Sequence, residues 1–198
     1  MIVVFDTETT GLPDFRARSA DPVQPHIVQL ALVEYSDDGQ EITAHSTLVR
    51  PDGWVIPPEM TAIHGISHER AMDEGVPEET AVVTFLMTTA RANLRVAHNS
   101  GFDDRIMRIA MTRAGMVKDF IEAMERRPSF DTCAEAKPIV NLPPTDKMIA
   151  RGMTQPKPPK LEECVRHFFG EGLLGAHDAL VDARACGRLF FHLLSIKG

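Results

Sequence analysis

The sequence is short of cysteine. Its 198 residues hold three, Cys133, Cys164 and Cys186. None sits in a C-x-x-C pair, the count is odd and the spacing fits no zinc site, which excludes a disulfide scaffold and a zinc ribbon. The expected reading is reduced thiols in a cytoplasmic protein. Long apolar runs are also missing. None reaches the ~18 residues of a membrane span, so no membrane partner is expected. The N-terminus has no basic segment and meets an acid at Asp6, unlike a secretory leader. Repeats and low-complexity tracts are absent, which excludes solenoids and disordered linkers. Basic residues are outnumbered: 21 Lys and Arg against 28 Asp and Glu give a net charge of −7. That excludes a histone-like grip on nucleic acid by bulk charge.

What is present is a core. The chain is 43% hydrophobic, enough for one domain spanning residues 1–198. Ile2 to Phe5 is a dense β-branched run, the mark of a strand buried on both faces. It leads into Asp6-Thr7-Glu8-Thr9-Thr10-Gly11. Residues 12–25, with Pro13, Pro22 and Pro25, read as a loop. Ile27 to Tyr35 and Ile42 to Val49 flank Asp37-Asp38-Gly39 as a hairpin. Val76-Pro77-Glu78-Glu79 opens a helix over 76–92. Leu94 to Ala97 reads as a strand, Phe102 to Ala114 as a helix stopped by Gly115, and Phe130 to Cys133 as a fifth strand. Prolines 138, 143, 144, 156, 158 and 159 predict an extended loop over about 138–160. Leu161 to Phe169 and Ala179 to Leu194 are closing helices. The order predicts an α/β fold, a mixed sheet covered by helices.

Three groups of residues carry chemistry. Asp6 and Glu8 are two apart on a strand and share a face. Adjacent like charges there repel and resist desolvation. A hard cation such as Mg²⁺ or Mn²⁺ relieves both costs; a solvated strand end is the plain alternative. Asp103 follows His98-Asn99-Ser100-Gly101-Phe102 after the strand Leu94–Ala97, where ligands gather in open sheets. Its plain alternative is an acid favoured by the helix dipole, the reading given to Asp104. Asp182 lies one turn into a small-residue helix face, after Asp178 as a cap and His177 on the lead-in loop. Trp54 reads as a loop anchor. Arg126-Arg127, Lys157 and Lys160 read as solvated charge.

Phe5-Asp6-Thr7-Glu8-Thr9-Thr10-Gly11, His98-Asn99-x-x-Phe102-Asp103 and His177-x-x-x-x-Asp182 together resemble the motifs of the DEDDh exonucleases. That group includes the epsilon-type proofreading subunits, RNase T, oligoribonuclease and the TREX enzymes. Ile63-His64-Gly65-Ile66 resembles the family's substrate-contacting segment. The resemblance runs from residue 2 to about 194. It implies an RNase H-like fold, a five-stranded mixed sheet flanked by helices. It implies a 3′–5′ exonuclease acting on DNA ends, with an exoribonuclease or a polymerase-associated proofreading subunit as alternatives.

It further implies two divalent metal ions, Mg²⁺ or Mn²⁺. Asp6 would bridge both, Glu8 and Asp182 would hold the first, and Asp103 would support the second. Such ions supply charge at both the attacking and the leaving oxygen of a phosphodiester. His177 would be the general base, since an imidazole with an ordinary pKa of about 6.5 takes protons at neutral pH. Thr7 to Thr9 would meet the strand terminus. Leu12, Ile63, His64 and Phe102 would flank the terminal bases. His98 and Asn99 would touch substrate or brace Asp103. Loops 12–25 and 138–160 look longer than in compact members, so substrate choice is not inherited. The chain ends at Gly198 just after the last helix and has no clamp-binding peptide. A freestanding enzyme is therefore expected, of undetermined oligomeric state.

The charge is unevenly spread. Residues 1–104 hold 17 acids and 6 bases, whereas residues 105–160 hold 6 acids and 11 bases. Arg105, Arg108, Arg113, Lys147, Arg151, Lys157 and Lys160 are the expected phosphate-binding face.

Overall fold

The computed structural model describes residues 1–196; Lys197 and Gly198, on which the expectation about the chain's end falls, lie outside the described residues. Five strands form one sheet: β1 (Ile2–Thr9), β2 (Ile27–Tyr35), β3 (Glu41–Leu48), β4 (Leu94–Ala97) and β5 (Ser129–Asp131). Their order is β3-β2-β1-β4-β5. The strand with the densest β-branched run thus sits in the middle. β1 pairs antiparallel with β2 and parallel with β4. The edges follow suit, β3 antiparallel to β2 and β5 parallel to β4. β1 runs four residues beyond Phe5, because Thr7 and Thr9 are β-branched and keep pairing with β2. The acids therefore lie within the strand, next to a register shift between Glu8 and Thr9.

Alternation along β1 decides what each face meets. Val3 and Phe5 pack on α3 (Glu78–Ala90) and α4 (Ser100–Arg113), with the Phe5 and Phe85 rings 5.2 Å apart. Ile2 and Val4 pack on α9 (Ala179–Ser195), against Ala179, Ala183, Cys186 and Phe190. By parity, Asp6 and Glu8 continue the α9 face and Thr7 the α4 face.

Three short helices escape the sequence pattern: α1 (Pro58–His64), α2 (His68–Glu74) and α5 (Lys118–Glu125). Two turns are too few to establish an apolar period. The predicted loop over 138–160 needs correction at its start. The helix α6 (Thr132–Val140) runs through Pro138. A proline there costs about 3 kcal/mol. Burial of Ala136 and Val140 against Leu189 and Leu193 of α9 offsets it. Residues 141–160 are irregular apart from α7 (Asp146–Ile149), and α8 (Leu161–Phe169) lies where the sequence placed it. Among the described residues no helix is long and apolar enough to cross a membrane.

The helix α9 approaches the sheet closely at Gly187. A Cβ there would lie 2.8 Å from the Tyr35 hydroxyl oxygen and 2.9 Å from its ring. Alanine is normally the better helix former by about 1 kcal/mol, but overpacking costs about 1–3 kcal/mol. Gly187→Ala is expected to lower the urea midpoint, and Tyr35→Leu in the same chain to recover part of the loss. A midpoint raised by Gly187→Ala alone would contradict this packing.

Candidate active site

The end of β1 is where the four acids meet. Asp6 and Glu8 face α9 from the strand itself. Asp103 comes from the first turn of α4, whose start is set by Asn99 at φ +64°, a left-handed turn that asparagine tolerates. The Asn99 N–H donates to Asp131 Oδ1 at 2.9 Å, which ties the helix start to the end of β5. Asp103 is 2% exposed. Its Oδ1 accepts from the Thr7 N–H at 3.0 Å and the Thr7 hydroxyl at 2.7 Å. The dipole-only alternative fails for Asp103 on burial. It fails for Asp104 as well, which pairs with the buried Arg95 guanidinium at 3.1 Å.

Asp182 arrives from α9. Asp178 caps that helix, its Oδ1 accepting from the Leu180 and Val181 N–H groups. Gln29 sits directly opposite Glu8 in the β1–β2 pair and fastens the same helix end. Its Oε1 accepts from the Ala179 N–H at 3.0 Å and its Nε2 donates to Asp178 Oδ2 at 3.3 Å. His177 holds φ +69°, a strained conformation for a residue other than glycine. That turn aims its N–H at Asp182 Oδ2, 3.0 Å away. Asp182 Oδ1 is buried with no partner. Glu8, His177 and Asp182 offer ligand atoms that all lie within 4.8 Å of one another.

So many carboxylates in one buried place hold protons more tightly than isolated ones. Burial, and then Asp103, Asp182 and Glu8, raise the Asp6 carboxyl well above its ordinary range. Burial and the nearby Asp182 and Asp103 push Glu8 up to about 8. Burial takes Asp103 to about 7 against the opposing pull of the Thr7 bonds. Asp182 is raised by burial too. Hard oxygens, an orphaned Oδ1 and mutual repulsion suit divalent cations of the Mg²⁺ or Mn²⁺ kind.

The acids floor a cavity of about 510 Å³. Thr9, Leu12, Ile63, His98, Asn99 and Phe102 line it as well. Leu12 and Ile63 are exposed at its rim. Phe102 also packs against the α3–α4 core. Four expected substrate contacts turn out to be engaged in hydrogen bonds within the protein. Thr7 spends both donors on Asp103. His64 is buried and absent from the cavity wall, its Nδ1 accepting from the Ile66 N–H at 3.1 Å; burial and the neighbouring His177 lower its pKa. His98 lines the cavity, but its ring nitrogens meet Thr132 Oγ1 at 2.9 Å and the Pro159 carbonyl at 3.0 Å. It binds β4 to the proline-rich segment. Thr9 donates its hydroxyl to the Gly11 carbonyl at 2.8 Å.

Sequence reasoning missed Met60, Leu161, Glu162 and Leu173 on this wall. The expected basic face is corrected. Arg108 pairs with Glu125, Arg113 with Glu78, and Lys157 with Glu163. Arg105 holds loop 12–25. Of the seven bases Lys160 lines the cavity. A larger cavity of about 580 Å³ surrounds the stacked His26 and Trp54 rings but contains none of the four acids.

Comparison with known proteins gives the family and the fold. A family model, RNase_T, described as an exonuclease, matches residues 3–190. Among curated proteins no sequence matches. Exonuclease I of E. coli, solved with a dA16 oligonucleotide, is similar over 100% of this chain at 20% identity and a TM-score of 0.71. Exonuclease I of Methylocaldum szegediense is similar over 99% at 20% identity and a TM-score of 0.73. The chain spans 43% and 40% of the length of those two proteins. Exonuclease X, solved with 5′-overhanging duplex DNA, is similar over 100% of this chain and 93% of its own, at 22% identity and a TM-score of 0.60. The structural likeness is one of fold; with the family match over nearly the whole sequence, the chain belongs to the RNase_T exonuclease family, the DEDDh group its motifs resemble.

Proposed function

We propose that this chain is a metal-dependent 3′–5′ exonuclease that removes nucleotides from DNA ends in the cytoplasm. The observation that carries the reading is the convergence of Asp6, Glu8, Asp103 and Asp182 with His177 on one cavity. The DNA bound to exonucleases I and X supports DNA as the substrate class. Asp6, Glu8, Asp103 and Asp182 would hold two divalent ions, which supply positive charge to a phosphodiester under attack. Thr7 fixes the Asp103 carboxylate. Asp178 and Gln29 fix the helix that carries Asp182. His177, exposed beside Glu8 and Asp182, takes the proton from the attacking water. Leu12, Ile63 and Phe102 offer apolar surface to the terminal bases, a contact indifferent to sequence.

The test is a 5′-labelled strand of DNA or RNA incubated with Mg²⁺, Mn²⁺ or EDTA. Expected is a ladder shortening one nucleotide at a time from the 3′ end of DNA, absent in EDTA. Cuts in a circular strand, or cleavage without metal, would refute the reading. Asp6→Asn and Asp182→Asn should abolish the ladder. His177→Ala should lose about 10²–10⁴-fold in kcat while metal binding, followed by calorimetry, persists.

The raised carboxyls set a pH dependence. Glu8 moves from 4.5 to about 8 and Asp103 from 3.8 to about 7. Between those limits the folded protein holds more protons than the unfolded chain. Stability without metal is therefore highest at low pH and falls as pH rises through about 7 to 8. Thermal melting in EDTA should show this fall, and Mn²⁺ should raise the Tm more at pH 8 than at pH 5. Asp6→Asn should raise the metal-free Tm at pH 8. A metal-free Tm that climbs over the same range would contradict the acid cluster.

A further inference from the structure

Loop 12–25 is built like a rigid platform. Its ends are pinched together, with the Thr10 N–H donating to the His26 carbonyl at 3.0 Å and the His26 N–H donating to Thr10 Oγ1 at 2.9 Å. Inside, the Gln24 side chain is 1% exposed. Its Nε2 donates to the Asp14 and Arg18 carbonyls at 2.8 and 3.2 Å, and its Oε1 accepts from the Asp14 N–H at 3.1 Å. Arg105 reaches in from α4, donating to Ser19 Oγ at 2.8 Å and to the Ala17 carbonyl at 2.7 Å. Arg105 lies two residues after Asp103, so the anchor is shared with the acidic site.

With its polar backbone turned inward, the loop turns other groups outward. Phe15 is 68% exposed. Arg16 and Arg18 are exposed as well, and neither has an ion pair among the described residues. Elsewhere in residues 1–104, Arg70, Arg91 and Arg95 pair with acids, while the exposed Arg50 has no ion pair among the described residues. Phe15 is three residues from Leu12 on the cavity rim, a span of at most ~10 Å. An exposed aromatic ring followed in the chain by two guanidinium groups without ion pairs, close to the mouth of a cavity, matches a single strand of nucleic acid.

We propose that loop 12–25 is the track for the single strand leading out of the cavity, with Phe15 stacking on a base and Arg16 and Arg18 binding phosphates. The proposal rests on the exonuclease reading for the direction of the strand. It goes beyond that reading in giving the enzyme a second contact, away from the scissile end, that senses strand length. Because Gln24 and Arg105 already order the loop, binding carries little further ordering cost.

The test pairs binding with hydrolysis. Anisotropy is measured in Mg²⁺ with 5′-labelled single-stranded DNA of about 12 nucleotides, made with phosphorothioate linkages that resist cleavage. Phe15→Ala should weaken binding by about tenfold and Phe15→Tyr should restore it. Arg16→Ser with Arg18→Ser should flatten the log–log salt dependence by roughly 1.4, at about 0.7 per lost phosphate contact. Hydrolysis of an unmodified dinucleotide should match wild type in every variant. Unchanged binding in these variants, or equal loss on the long strand and the dinucleotide, would overturn the track. So would a wild type that binds no single strand, as expected were the platform a protein-docking surface. Loop-dependent binding without cleavage of any strand would keep the track and overturn the exonuclease reading.

Discussion

Four carboxylates share the end of one buried strand, and the rest of the molecule is arranged around the cost of keeping them there. Each resists desolvation and each repels the others. Hydrogen bonds from neighbouring groups hold them in place against that repulsion. Thr7 takes hold of Asp103 from the strand, Asn99 and Asp131 fix the start of α4, and Gln29 with Asp178 pins α9 over Glu8. The strand beneath is central in the sheet and packed on both faces. A site with these electrostatics on an edge strand would have less packing to resist its own repulsion. The strained turn at His177 belongs to the same account, since it delivers an N–H to a carboxylate that already lacks a partner on its other oxygen.

Much of this was legible in the sequence, and the reasons differ by element. β2, β4 and α8 lie over the spans read from the sequence, because continuous apolar runs and a strong amphipathic period leave little choice. β1 was underread because the acids in it look like the end of a strand. Helices α1, α2 and α5 were unreadable at two turns each. α6 through Pro138 was misread because local propensity lost to burial against α9, a contact some 50 residues away in sequence. In the site, residue type and spacing made the four acids candidates, and the family resemblance joined them to one another and to His177. The duties of Thr7, His64 and His98 were not legible. Those duties are hydrogen bonds, two of them to residues 96 and 61 positions distant, which no local pattern encodes.

The basic residues carry a second lesson. The stretch 105–160 is rich in Arg and Lys, and composition alone suggested a phosphate-binding face. Arg108, Arg113 and Lys157 instead neutralise acids, and Arg105 caps carbonyls of a loop. Long cationic side chains in this protein act mainly as struts. Net charge and segment charge therefore say little about where an anion sits. Which cations lack an internal partner says more.

The pinch between Thr10 and His26 separates two problems that a nuclease must solve. The residues before it form the catalytic strand and those after it continue into the neighbouring strand, so the two ends of loop 12–25 are already fixed to the sheet. Lengthening a loop whose ends are held costs little, about 0.6 kcal/mol per doubling. The excursion can thus be resized or rewritten without disturbing the register of β1 against β2. A different excursion between Thr10 and His26 would still leave both ends on the sheet and the strand that carries Asp6 and Glu8 in its register with β2.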